Sequence, residues 1–361
     1  MLRSSLNFLR HLAVDDPDRW YPVLSVVYLT YACRFRCPYC SDGAQNPYYA
    51  LRAATLSAGE MLALLANVRR HTSFVVLTGG EPLQFPDVDA VLDRLPSLRF
   101  QGVVFTTNGY ELDGHLPSVS RAVSELVVSI DTLDHDKADR AYGMGSGALV
   151  RILENVERAR CFPGRRYHIV VSTVVTPDNL DDIDDVRAYA RERGFQLAVC
   201  PQLVGVKAHE GVARDPRYAA LYDRLIDDKK RGEDIYGTIP YLEAMRDLRK
   251  FECRPFTMLV VSPTGDVFYP CLEKGTFAGN LLRNPNLHEL RREGRRKHGP
   301  QPQCGTQCHS ACALSFSTAL HTPSLIGIEG YLQAKTRVVR LTRRARGAPL
   351  YETSKTGRVI R

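Results

Sequence analysis

Three cysteines fall within eight residues, Cys33-Arg34-Phe35-Arg36-Cys37-Pro38-Tyr39-Cys40, and they are the densest chemistry in the chain. Three thiolates this close can bind three irons of a cubane iron–sulfur cluster, whereas a closed structural zinc site generally takes four protein ligands. The fourth iron would stay open to a substrate or cofactor. A zinc site completed by a distant residue is the competing reading of the triplet. A second group begins with Cys253 and Cys271 and continues with Cys304, Cys308 and Cys312 at intervals of four. On a helix the last three would share a face. Five cysteines here can supply four thiolates to a cluster with one to spare, or four to tetrahedral zinc. His309 could add a ligand but reads as a solvent-facing residue, and the isolated Cys161 and Cys200 read as small buried hydrophobes.

Polar motifs recur between the two cysteine groups. Gly79-Gly80-Glu81-Pro82 combines two residues that let the backbone approach a ligand closely with a carboxylate able to accept hydrogen bonds from an ammonium group. Thr106-Thr107-Asn108-Gly109 and Ser129-Ile130-Asp131 offer hydroxyls, an amide and a carboxylate, which suit a ribose and a carboxylate. Taken singly, each of these is equally a turn or a helix cap.

The elements that must position these residues are strands. About six apolar, β-rich runs lie at 24–31, 73–78, 102–107, 125–130, 168–175 and 196–201 and alternate with helix-like segments. That alternation argues for an α/β fold with parallel strands and crossover helices, and the near-continuous apolar content suits strands covered on both faces. The intervening helices carry polar caps at Ser57 and Asn179, and Gly194 stops the second. Each polar motif follows a strand, so all of them would gather at the C-terminal end of the sheet, where parallel α/β barrels form their active sites. Residues 215–250 read as one or two further helices. The segment 257–271 reads as a β-hairpin about Pro263-Thr264-Gly265-Asp266.

Cys-x3-Cys-x2-Cys with an aromatic before its last cysteine resembles the signature of the radical S-adenosylmethionine (SAM) superfamily, and Gly79–Pro82 resembles that family's GGEP motif. The resemblance implies a partial (β/α)6 TIM-like barrel with a small C-terminal α+β Fe–S extension. It places a [4Fe–4S] cluster on Cys33, Cys37 and Cys40, the methionine amino group near Gly79, Gly80 and Glu81, and the ribose and methionine carboxylate near Ser129 and Asp131. Asn108 would belong to the same pocket, with Tyr39 near the adenine. The implied reaction is one-electron cleavage of the sulfonium to a 5′-deoxyadenosyl radical, which abstracts hydrogen from a substrate C–H bond. From 250 to 313 the chain resembles the SPASM and twitch extensions that carry auxiliary clusters. It departs from their Cys-x2-Cys-x5-Cys spacing, having Cys-x3-Cys-x3-Cys instead. One auxiliary [4Fe–4S] cluster is expected, on Cys253, Cys271 and two of Cys304, Cys308 and Cys312, with Cys304 and Cys308 preferred.

The resulting organisation is an N-terminal segment (1–23), a radical SAM partial barrel (24–205), a helical connector (206–252), an auxiliary-cluster unit (253–313) and a basic tail (314–361). With 361 residues, 44% hydrophobic and 24% charged, the chain can bury a large core. The first twenty residues lack a sustained apolar run and a small-residue cleavage site, so a cytoplasmic, reducing location is expected. Most of the net charge of +8 sits in 314–361, with nine Lys or Arg against Glu329 and Glu352. A nucleic-acid partner therefore finds little support. The tail's mixture of Leu325–Arg346 apolar and basic residues allows a helix resting on an anionic membrane surface. A peptide is the substrate that the resemblance implies, with an electron donor such as flavodoxin or ferredoxin. The alternatives are a lipid, polyprenyl or sugar-derived metabolite as substrate, or a non-catalytic zinc or Fe–S binding protein.

Overall fold

A computed structural model describes residues 2–14, 21–42, 45–51, 54–300, 308–322, 324, 328–329 and 331–336. In chain order the elements begin with α1 (Leu2–Ala13), β1 (Leu24–Tyr28), α2 (Ala58–Arg69), β2 (Phe74–Thr78), α3 (Val88–Arg94), β3 (Gly102–Thr107), α4 (Leu116–Ala122) and β4 (Glu125–Ser129). They continue with α5 (His135–Tyr142), α6 (Ala148–Cys161), β5 (His168–Val175), α7 (Ile183–Arg193), β6 (Gln196–Pro201) and the two-residue strands β7 (Leu203–Val204) and β8 (Lys207–Ala208). Three helices follow, α8 (Glu210–Ala213), α9 (Pro216–Arg231) and α10 (Ile239–Arg246). The last elements are β9 (Met258–Val261), β10 (Asp266–Tyr269), β11 (Thr276–Asn280), α11 (Leu287–His298) and α12 (Ala311–His321).

The six sequence-predicted strands are present, and β1 to β6 pair in parallel in chain order. Their register aligns Val27, Leu77, Phe105, Leu126 and Ile169 in one belt across five strands. Every member of that belt is buried, and each contributes about 2 kcal/mol by leaving water. The opposite face is less closed than near-continuous apolar runs led us to expect, because alternate residues such as Val76, Thr106 and Cys200 remain partly accessible. The sheet does not close on itself, since β6 and β11 are its two edges, and the lumen of the partial barrel stays open on that side.

Helix α2 starts where Ser57 predicts, in a capping box: the Ser57 hydroxyl accepts from the Glu60 amide, and the Glu60 carboxylate accepts from the Ser57 amide. Gly194 ends α7 in the left-handed region at φ 67°. The hairpin about residues 263–266 forms as well, but it does not stand apart. Strand β9 pairs in parallel with the free edge of β1, and β10 and β11 add antiparallel strands beyond it. One nine-stranded sheet, ordered β11-β10-β9-β1-β2-β3-β4-β5-β6, thus leads into the first cysteine loop from β1 and into Cys271 from β10. Among the described residues no helix is long and apolar enough to cross a membrane.

Helix α1 docks beneath the sheet through hydrogen bonds. Asn7 donates to the carbonyls of Pro22 and His71 at 2.8 and 3.0 Å, and Ser4 accepts from the Ser73 amide. His11 donates from Nε2 to the Tyr21 carbonyl at 2.8 Å. Burial, helped by Arg291 and Arg254, pushes His11 down to about 4, while the bond to Tyr21 opposes the shift. The folded state therefore holds a neutral ring that the unfolded chain protonates below its ordinary value near 6.5. Stability is expected to fall as pH drops from about 6.5 towards 4. Urea unfolding across that range checks it, and His11→Gln should flatten the profile. An unchanged profile in the variant would show that another group governs it.

Candidate functional site

Parallel pairing brings the C-terminal ends of β1 to β4 to one mouth, and each end carries one of the polar motifs. Beyond β1 the chain stays extended. Leu29 donates to the Thr78 carbonyl, Gly80 to the Thr30 carbonyl and Glu81 to the Ala32 carbonyl, at 2.7 to 2.8 Å. The Gly-Gly turn is thereby zipped against the strand that leads into Cys33. A Cβ at Gly79 would collide with the Thr30 carbonyl oxygen, and one at Gly80 with those of Tyr31 and Ala32. The two glycines are required here by the closeness of a neighbouring backbone.

Inside the cysteine loop, Phe35 anchors the turn in the core. Its ring stacks on Tyr142 at 4.8 Å between centroids, and the Arg36 amide donates to the Tyr142 carbonyl at 2.8 Å. The Arg36 guanidinium donates to the Cys33 carbonyl, and Cys40 closes the turn with a bond from its amide to the Cys37 carbonyl at 3.1 Å.

Glu81 is buried, and both of its carboxylate oxygens are engaged. Oε1 accepts from the Leu83 amide and the Thr107 hydroxyl, and Oε2 accepts from the Asn108 amide, all at 2.7 to 3.0 Å. It ties the end of β2 to the end of β3. Oε1 has used both of its lone pairs, whereas Oε2 keeps one free for a further donor. Burial pushes Glu81 up to about 7 against the pull of those three bonds. Asn108 turns its own Oδ1 back to the Tyr110 amide at 2.9 Å.

Asp131 is the second buried carboxylate. It accepts from the Tyr39 hydroxyl and from the Val174 amide, and burial raises it to about 6. Tyr39 thus joins the cysteine loop to the end of β4, with its hydroxyl committed to Asp131. Ser129 lies exposed at the end of β4, opposite Ser172 in the register. Asn179 corrects the sequence reading. It does not cap α7, which begins four residues later, but donates to the carbonyls of Asp131 and Val174 and accepts from the Thr176 amide. An Asn side chain can bond either a helix start or a nearby loop, and here the loop wins because it buries three polar groups at once. Asn155, on the buried face of α6, similarly holds the Gly109 and Tyr110 carbonyls. Sequence reading passed over it, although an amide in an apolar helical stripe was a visible signal.

Among the described residues no three histidine, cysteine or carboxylate side chains stand close enough, as placed, to hold a metal ion. The thiols nevertheless fit an iron–sulfur cluster chemically. Burial pushes Cys33 up to about 12 and Cys40 up to about 11, and raises Cys37 further still, with the sulfurs reinforcing one another. Three soft donors on one short loop have Arg36 nearby to favour a thiolate, and iron is the kind of ion that such sulfurs would hold.

Residues 27–190 match the family model described as Radical SAM superfamily. The chain carries a radical SAM domain. It is 28% identical over 329 residues to the mycofactocin maturase MftC of Mycobacterium ulcerans, covering 83% of this chain and 85% of that one. A probable GTP 3′,8-cyclase of Methanothermobacter thermautotrophicus is 25% identical over 293 residues, with 75% and 88% covered. Streptococcus suis SuiB, solved with S-adenosylmethionine bound, shares the fold at a TM-score of 0.59 and 16% identity. That match covers 75% of this chain and 65% of SuiB, so the chain spans slightly less than two thirds of its length. That domain makes this a radical SAM enzyme, with S-adenosylmethionine and a [4Fe–4S] cluster as its cofactors.

The second cysteine group of this radical SAM enzyme lies on the added strands and α12. Cys271 follows β10 and Cys253 precedes β9, close enough that the Cys253 thiol adds to the burial that raises Cys271. Cys312 is in the first turn of α12, whereas Cys308 lies ahead of the helix, with its sulfur accepting from the Ser310 amide at 3.5 Å. The expected single helical face is therefore not formed by Cys308 and Cys312, and Cys304 lies outside the described residues. His309 is buried rather than solvent-facing, and its Nδ1 accepts from the Ala208 amide at 2.8 Å. Cys200, on β6, feels both Asp131 and Cys312, so it lies between the two regions.

Proposed function

We propose that this radical SAM enzyme modifies a ribosomally made peptide in the cytoplasm, with Cys33, Cys37 and Cys40 as ligands to the cluster that reduces S-adenosylmethionine. When bound, that reduced cluster supplies the electron that cleaves the C5′–S bond and yields the 5′-deoxyadenosyl radical. The observation that carries the reading is the convergence at one mouth of the thiol loop, the zipped Gly79-Gly80 turn and two buried carboxylates, each fixed by backbone donors. Such fixing pre-organises the pocket, so little reorganisation is needed when the cofactor docks.

The chain's own residues have distinct parts in this scheme. The free lone pair of Glu81 Oε2 accepts from the methionine ammonium beside the Gly79-Gly80 backbone. Ser129 and Asp131 face the ribose and methionine carboxylate, Tyr39 closes the adenine side, and Asn108 shapes the turn between them. The partly open lumen admits the substrate. A peptide is favoured because MftC is a maturase by name and SuiB has been solved bound to the precursor peptide SuiA. One auxiliary [4Fe–4S] cluster is held by Cys253, Cys271 and two of Cys304, Cys308 and Cys312. A flavodoxin or ferredoxin supplies the reducing electron.

The test is anaerobic reconstitution with iron and sulfide, reduction, and measurement of 5′-deoxyadenosine after adding S-adenosylmethionine. Stimulation by a heat-cleared extract of the source cells, abolished when the extract is first digested with protease, identifies a peptide. Stimulation that survives digestion assigns a small metabolite instead. Cys271→Ala is expected to lower bound iron by about four atoms per chain and leave the first cluster's absorbance and deoxyadenosine formation in place. Unchanged iron would remove Cys271 from any cluster.

A further inference from the structure

Helix α1 is amphipathic in the reverse of the usual sense. A helix packed on a globular core buries its apolar stripe and shows its polar one. Here Ser4, Asn7 and His11 are the buried face, held by the backbone of residues 21–22 and 71–73. Leu6, Leu9 and Leu12, spaced by three, point away from the protein and are 46%, 56% and 40% exposed. Turning hydrogen-bonding groups inward while leaving three leucines about half exposed forfeits apolar burial that the opposite orientation would gain. The arrangement makes physical sense when something else covers the stripe.

The surroundings identify the covering surface by charge. Helix α1 contains no carboxylate, and it carries Arg3 and Arg10, both exposed. Arg3 donates to the Arg70 carbonyl, which brings a further exposed arginine to the helix edge, and Arg69 donates to the Arg99 carbonyl at 2.9 Å beside it. The C-terminal stretch docks at the same pole, where Lys229 bridges Glu329 and the Ile235 carbonyl next to the start of β6, and Lys335 donates to the Lys230 carbonyl. Ile328 and Tyr331 on that stretch are 53% and 68% exposed. Exposed apolar side chains among arginines and lysines are complementary to an anionic bilayer surface, where leucines enter the acyl boundary and cations pair with headgroups.

We infer that α1 lies in the plane of an anionic membrane and seats the pole of the barrel opposite the mouth upon it. The cofactor mouth at the C-terminal strand ends then faces away from the lipid and stays open to substrate and electron donor. The apolar stripe of this attachment belongs to α1.

Flotation of the reconstituted full-length protein tests it. The probes are vesicles of phosphatidylcholine alone and of phosphatidylcholine with about a third phosphatidylglycerol. The protein is expected to float with the anionic vesicles only, and less so as salt rises. Leu6→Asp with Leu9→Asp should reduce the bound fraction tenfold or more, because it replaces inserting side chains with charges repelled by the headgroups. The substitutions are at exposed positions remote from the mouth, so bound iron and deoxyadenosine formation should match wild type. Leu9→Ser gives a milder loss and guards against misfolding of the double variant. Absence of flotation with anionic vesicles overturns the proposal, as does flotation undiminished in the variants. A wild-type dimer that the same substitutions convert to a monomer, without vesicle binding, would assign the stripe to a second copy and also overturn it.

Discussion

Replacing Cys37 by alanine is expected to abolish deoxyadenosine formation and to lower bound iron by about four atoms per chain. The argument rests on the ligand count. A cubane held by three protein sulfurs has no spare in its loop, since Cys253 and Cys271 flank β9 and β10, Cys200 lies on β6 and Cys161 is exposed at the far end of α6. The protein should otherwise survive the change. The loop is anchored through Phe35 on Tyr142 and through the Arg36 and Cys40 amides, none of which uses the Cys37 sulfur. Circular dichroism and the unfolding midpoint should therefore stay near wild type while the absorbance of the cluster is lost. Cys161→Ala is the control, with no change in iron or turnover. Deoxyadenosine produced at the wild-type rate by the Cys37 variant would falsify the ligand assignment.

The second large effect is on stability. Glu81→Ala removes the acceptor of the Leu83 amide, the Thr107 hydroxyl and the Asn108 amide at a buried position. A buried donor left without a partner costs about 1 to 3 kcal/mol, so a loss of about 3 kcal/mol or more is expected even after partial relaxation. The damage should be shared with the cofactor site, because the same carboxylate ties the Gly79-Gly80 turn to the end of β3. Glu81→Gln separates the two effects. A glutamine oxygen in the place of Oε1 can still serve Leu83 and Thr107, but its amide nitrogen faces the Asn108 N–H as donor against donor and offers nothing to an ammonium group. The Gln variant should thus unfold at higher urea than the Ala variant while needing at least tenfold more S-adenosylmethionine for half-maximal turnover. Anaerobic urea titration and a saturation curve give both numbers. A Glu81→Ala protein with the wild-type unfolding midpoint would show that the carboxylate is not the strut described here.

Much of this was legible in the residues before any coordinates. The six parallel strands appear within a few residues of their expected ends, because β-branched runs bounded by polar turns are local signals. Ser57 and Gly194 act as caps for equally local reasons. Once those strands run parallel, the cysteine triplet, Gly79-Gly80-Glu81, Asn108 and Asp131 must share one mouth, so the sequence also determined which residues could meet.

Tertiary structure decided what each of them touches. That β9 extends the sheet beside β1 could not be read locally, since the paired residues Leu24 and Met258 are far apart in the chain and parallel pairing leaves no turn between them. That Asn179 latches Asp131 rather than capping α7, and that His309 is buried, depended on which loop came within hydrogen-bonding reach. Helix α1 shows the reason most plainly. Its sequence specifies two faces of opposite polarity, but which face turns inward was settled by the carbonyls of Tyr21, Pro22 and His71, three buried or partly buried acceptors that only the folded sheet brings together.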